Sequence, residues 1–204
     1  VMAWTTTANI KGPAGPAGAA GPAGAAGPAG ASGVASLSQS LPTNPYDGQE
    51  FLYNVNNDGT MWRFRYRAGS TSPYKWEFVG GSDYVSTGPD VSGAVAQTTA
   101  QYVNGVGLNL PFAGDYDFWG AADYVPASGA YLYLFPGSIP AAAYINPTRS
   151  QNLVASGWYA AMNNSGRAFG RPAGEWWGLC YQSSPTTTIN YYSTELRVRP
   201  VRVG

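Results

Sequence analysis

Glycine stands at every third position from Gly12 to Gly33: Gly12, Gly15, Gly18, Gly21, Gly24, Gly27, Gly30 and Gly33. Only glycine fits the crowded axis where three polyproline-II chains meet, so an unbroken period of three is the signature of a collagen-like triple helix. Pro13, Pro16, Pro22 and Pro28 each follow a glycine, where the ring sets φ near the required value. Ala or Ser, never proline, precedes the next glycine, so the repeat makes no use of hydroxyproline. A flexible Gly/Ala/Pro linker has the same composition but no reason to keep phase. At about 3.1 Å per residue the repeat is expected to form a rod of roughly 65 Å. Alanine-rich triplets of this kind are marginal alone, so something downstream must hold three copies in register. The first expected partner is therefore the chain itself, as a homotrimer.

Composition narrows the remaining choices. Eleven basic and eleven acidic residues cancel, which argues against nucleic acid or an anionic membrane surface as the main partner. No apolar run approaches the roughly 20 residues of a membrane span, so membrane insertion is not expected. Cys180 is the sole cysteine and excludes an intrachain disulfide. Residues 1–11 show no charged leader followed by an apolar run and are read as an N-terminal connector. The Val1-Met2 start suggests a piece or processed form of something longer.

Downstream of the repeat, Val34, Leu37 and Leu41 are spaced three and four apart, and Pro42 follows. Residues 34–42 read either as a short coiled-coil neck or as a plain loop. From 43 to 82 the period changes to two. Phe51, Tyr53 and Val55 alternate with Leu52 and Asn54, and Asn56-Asn57-Asp58-Gly59 signals a turn. Trp62, Phe64 and Tyr66 then alternate with Arg63, Arg65 and Arg67, and Tyr74, Trp76 and Phe78 with Lys75 and Glu77. This predicts a small antiparallel β meander with one aromatic and one charged face. Three strands are near the lower limit for stability, so the aromatic face needs a cover, expected from the same module in neighbouring chains. The three arginines read either as an anion site or as a solvated face opposite Glu77 and Lys75.

We assign residues 83–94 to a linker and 95–204 to a C-terminal head. Turn signals recur at short intervals there, with short apolar or alternating runs between them, which predicts a jelly-roll-like β-sandwich. In the closing segment Leu196 and Val198 share a face, but beyond Pro200 the apolar positions become Val201 and Val203. That phase slip predicts a bulge or bend at Pro200, at an edge position. The fold class expected overall is mostly β.

Several of these strings resemble a known group. The collagen-like repeat leads into Leu41-Pro-Thr-Asn-Pro-Tyr-Asp-Gly-Gln-Glu50 and a Trp62-Arg-Phe-Arg-Tyr-Arg67 strand. Tyr74-Lys-Trp-Glu-Phe-Val-Gly-Gly81, Ala113-Gly-Asp-Tyr116 and Leu196-Arg-Val-Arg-Pro-Val-Arg-Val203 follow. This order resembles bacteriophage tail-tip and tail-fibre proteins, especially of phages infecting actinobacteria, over nearly the whole chain. The Pro-x-Asp-Gly-Gln-Glu and Lys-Trp-Glu-Phe-Val-Gly-Gly strings are its fairly specific parts. The resemblance implies a virion component, attached to other tail proteins, whose trimeric shaft presents a β head to a host-surface glycan or protein. The plan also looks like the collagen-plus-jelly-roll trimers of the C1q and tumour-necrosis-factor class, in architecture only.

No enzyme constellation stands out. The chain has no histidine, which removes the Ser–His and Cys–His pairs and the commonest metal ligand. Cys180 has no evident activating partner and reads as a buried structural thiol. Asp115, Asp117, Asp123 and Glu175 are the carboxylates available for glycan hydrolysis or for calcium, but such acids are frequent at turns. Neither a cofactor nor a metal is expected. Aromatic pairs are the better binding candidates: Trp158-Tyr159 and Trp176-Trp177 put adjacent rings on opposite strand faces, so one of each pair is a candidate for exposure. With Arg167, Arg171, Asn163, Asn164 and Gln182 nearby in sequence, they would suit a sugar. The alternative is that these rings fill the sandwich core and trimer interface. The expected role is receptor-binding fibre protein; the alternatives are a depolymerising enzyme on the same scaffold or a non-viral collagen-like adhesin.

Overall fold

The computed structural model describes residues 2, 12–19, 21, 36–96, 99–127, 130–138, 143–144, 150–154 and 160–204. The chain divides into two units, 1–31 and 32–204. In the first, residues 12–19 and 21 are exposed and carry no helix or strand. A Cβ built on Gly12, Gly15, Gly18 or Gly21 meets nothing within 4 Å. Gly24, Gly27, Gly30 and Gly33 lie outside the described residues.

The second unit is mostly β, with no helix among its described residues. Its strands are β1 Ser36–Leu37, β2 Glu50–Val55, β3 Thr60–Tyr66, β4 Trp76–Gly81, β5 Tyr84–Thr87 and β6 Val91–Ala96. Next come β7 Gln101–Asn109, β8 Gly114–Pro126, β9 Ala130–Ser138, β10 Ala143–Tyr144 and β11 Ser150–Val154. β12 Ala160–Arg171, β13 Trp176–Ser184 and β14 Thr187–Val203 complete the chain. They form two sheets. The larger runs β1-β2-β3-β4-β14-β8-β12, with β5 and β6 also paired to β14; the smaller runs β10-β9-β13-β7, with β11 on β9.

Strand β8 shows why the sheets pack as a sandwich. Over 13 residues every second position is buried, including Tyr116, Phe118, Ala122 and Tyr124, while Asp115, Asp117, Trp119 and Asp123 face outward. Strict alternation is what a pleated strand needs to place one face in a core and the other in water. The inward face meets β13 of the small sheet, where the Trp177 ring stacks on Phe118 with centroids 4.2 Å apart. Gly120 makes room for this approach, since a Cβ there would lie 2.5 Å from Leu179 Cδ1.

The meander forms as its alternation predicts, with Phe51, Tyr53, Val55, Trp62, Phe64 and Trp76 buried. The turn between β2 and β3 holds Asn56 and Asn57 at φ of 49° and 57°, a conformation asparagine tolerates better than most residues. The cover of the aromatic face departs from expectation. Phe112 of the same chain packs on it, with ring centroids 4.7 Å from Tyr53 and 6.0 Å from Phe64. Tyr116 approaches Trp62 at 6.4 Å. The meander is thus part of the large sheet and shares its core.

Three further expectations are corrected. Ser36–Leu37 is a strand paired parallel to Phe51–Leu52, with Leu37 63% exposed, not a turn of a coiled-coil neck. Leu41 instead packs against the core. Residues 83–94 are not a linker, because β5 and most of β6 lie within them and pair with β14. β14 is not at an edge but central: β8 pairs along one side, while β6, β5 and β4 share the other in succession. The bulge at Pro200 is present, as a register shift between Pro200 and Arg202. β5 pairing reaches Val198 and β4 pairing begins at Arg202, so Pro200 falls in the gap between them. A residue without an N–H is tolerated in a central strand where nothing on that side needs its donor.

Candidate functional site

The long β14–β8–β12 register builds a groove on the outer face of the large sheet. Arg197 of β14 stands directly opposite Trp119 of β8, which stands opposite Ser165 of β12. One pleat along, Arg199, Asp117 and Arg167 are aligned in the same way. Asp83, just before β5, closes one end. Together these residues line a cavity of about 560 Å³.

Ion pairs order the groove. Arg167 donates from Nε and Nη2 to the two carboxylate oxygens of Asp117, at 2.6 and 2.9 Å. Arg199 donates from Nε to Asp83 at 2.6 Å, and Arg197 donates to Glu195. The sequence of side chains Asp83, Arg199, Asp117, Arg167 therefore alternates in sign across the sheet. The hydrogen bond that Arg199 donates to Asp83 raises its pKa above the ordinary value, and those that Arg167 donates to Asp117 do the same for Arg167. The Arg197 guanidinium lies 5.0 Å from the centroid of the Trp119 ring, a cation–π distance.

The six expected binding residues separate. Trp158 and Tyr159 lie outside the described residues. Arg167 belongs to the groove. Trp177 does not face outward: it is 1% exposed, stacks on Phe118 and donates from Nε1 to Glu175 at 2.9 Å. A ring wedged between two sheets is core, because burying it removes more apolar surface than any surface role would. Trp176 is 38% exposed and lies over Gly107 of β7, where a Cβ would come within 2.4 Å of its ring. Arg171 is committed to Glu175 through two hydrogen bonds of 2.8 and 2.7 Å, with its guanidinium over Trp177 at 5.6 Å. Of the other polar residues, Asn164 is buried and donates from Nδ2 to the Leu134 carbonyl of the small sheet at 3.0 Å.

The carboxylates are similarly placed. Asp115 accepts from the Gly170 N–H at 2.9 Å, and Asp117 is tied to Arg167. Burial would raise the Glu175 pKa, but hydrogen bonds from Arg171 and Trp177 outweigh it and hold the carboxyl below its ordinary value. A general acid needs the opposite shift. Arg63 and Arg65 converge on Glu50, and Arg67 bonds Glu77 at 3.3 Å, so the arginine strand is a paired face. Among the described residues no group of three His, Cys, Asp or Glu is placed to hold a metal ion.

Trp119, which lines the groove, was not among the expected binding residues. Its signal is in the sequence, in the alternation Asp115-Tyr-Asp-Phe-Trp119, which puts a tryptophan on the acidic face of a strand.

The fold defines a mostly β, sandwich-like protein with a polar groove on one outer face. No family model matches the sequence, and no curated protein matches it. Among solved structures, the Eiger TNF of S. frugiperda aligns at 8% identity with a TM-score of 0.39, covering 60% of this chain and 93% of that one. Similarity at that level carries no argument about function.

Proposed function

We propose that the chain is a structural display protein of a phage tail, a fibre or tip component in which three copies wind a collagen-like shaft and present jelly-roll-like β heads to the host surface. The observation that carries this reading is the period of eight glycines leading into a β head. Among the described residues the chain itself supplies no reason for it, since a Cβ at Gly12, Gly15, Gly18 or Gly21 meets nothing within 4 Å. The steric demand that keeps glycine in phase is supplied by other copies at a shared axis. The phage assignment rests on the Pro-x-Asp-Gly-Gln-Glu and Lys-Trp-Glu-Phe-Val-Gly-Gly strings. Its partners are two further copies, other tail proteins and a host-surface glycan or protein, and it works in the virion, outside the cell.

Light scattering on the purified protein tests the oligomer. The expected mass is three times the 21.4 kDa of one chain; a monomer at working concentration overturns the proposal. Antibodies to the head should decorate tail tips in electron micrographs, and decoration confined to capsids would exclude the tail role.

A further inference from the structure

We infer that the groove on the outer face of the large sheet binds an uncharged saccharide, with Trp119 as the stacking platform and Asp83, Asp117, Arg197 and Arg199 as its hydrogen-bonding rim. This deepens the display reading, on which its biological meaning rests, by giving the head a ligand class.

The size is right: about 560 Å³ falls within the roughly 300–1,000 Å³ of small-molecule sites. The ring is also in an unusual place. Trp119 faces outward on β8, between Asp117 and Ala121, and is not part of the hydrophobic core. A sugar ring offers a C–H face to an aromatic surface and hydroxyls to its edges. Such a ligand needs both donors and acceptors around an apolar floor.

The charge arrangement selects against an anion. Each arginine of the groove already has its own carboxylate: Arg167 with Asp117, Arg199 with Asp83 and Arg197 with Glu195. A phosphate or uronate would place its negative charge beside one of these acids, whereas a neutral polyol leaves all three pairs intact. Arg197 and Arg199 engage their partners through Nε, so their terminal N–H groups remain as donors, and the carboxylate lone pairs beside them as acceptors. The ion pairs also hold these long side chains in place, which lowers the ordering cost of binding.

Saturation-transfer NMR on the full chain tests this. The probes are the methyl glycosides of glucose, galactose, mannose, rhamnose and arabinose, with glucuronate and inorganic phosphate as charged comparators. At least one neutral glycoside should bind, and Trp119→Ala should weaken it about tenfold or more, the equivalent of one good polar or stacking contact. Phe169→Ala, which removes an exposed ring of β12 that does not line the groove, should leave binding unchanged. Should Trp119→Ala lose its far-ultraviolet circular dichroism, Asp117→Asn takes its place under the same criterion. The inference is overturned when no neutral glycoside binds, when the groove variant binds as well as the parent, or when only the charged comparators bind. Light scattering on the same sample separates the two readings. A trimer without sugar binding removes the groove assignment alone, and a monomer that binds sugar removes the display role alone.

Discussion

Trp177 and Phe118 stack face to face, ring centroids 4.2 Å apart and planes 16° apart, and so join the small sheet to the large one. Both rings are essentially buried. Truncating either side chain leaves a cavity that neither sheet can close, and Trp177→Ala or Phe118→Ala should cost about 3–5 kcal/mol. Trp176→Ala, one residue away but 38% exposed, should cost about 1 kcal/mol. Urea unfolding at one fixed chain concentration measures both. Equal losses for the two tryptophans would contradict the assignment of one to the core and one to the rim.

Gly21→Val tests the shaft. A side chain at the common axis of three strands should break the rod locally and lower the melting temperature of the polyproline-type circular dichroism signal. The β signal of the head should melt as before. An unchanged polyproline transition would contradict the triple helix.

The pH dependence of the head follows from Glu50. Hydrogen bonds from Arg63, then Arg65, hold its carboxyl below the ordinary 4.5. A carboxylate whose pKa is lower folded than unfolded adds stability that is complete above the unfolded value and is lost as pH falls through the folded one. Acid unfolding of Glu50→Gln should therefore show a shallower loss of stability below about pH 4.5 than the parent. The difference is small, because the two arginines face solvent. Identical slopes would show that the triad adds nothing.

Cys180 should be inert in the folded protein. Burial pushes its thiol well above the ordinary value, and its sulfur sits 3.7 Å from the Gly137 carbonyl oxygen. A thiol-specific chromogenic reagent at pH 8 should release about one equivalent per chain only after denaturant is added. Rapid reaction of the native protein would mean that β9 and β13 open.

Much of the second unit was legible because its strands alternate. The Trp62-Arg-Phe-Arg-Tyr-Arg67 run declares a buried and a wet face by itself, and so does the phase slip at Pro200. The errors share one cause. Residues 83–94 resemble a linker because β5 is four residues long and lies between Asp83 and Gly88-Pro89; its identity as a strand depends on β14. Trp177 and Trp176 cannot be told apart by spacing, since nothing local says which face meets the other sheet. Trp119 stood in plain view on an acidic face, but its neighbours Arg197 and Ser165 are far away in the chain.

By itself, then, the chain's order of residues determines what is local: a glycine period of three, and side chains alternating between water and core, a demand set by the pleat. Tertiary structure alone decided that β14 lies at the centre, that Phe112 covers the meander, and that Arg197, Trp119 and Ser165 stand in one row. Those outcomes come from backbone hydrogen bonding between distant strands. Its register brings residues together according to strand pairing, and no short window of sequence contains that pairing.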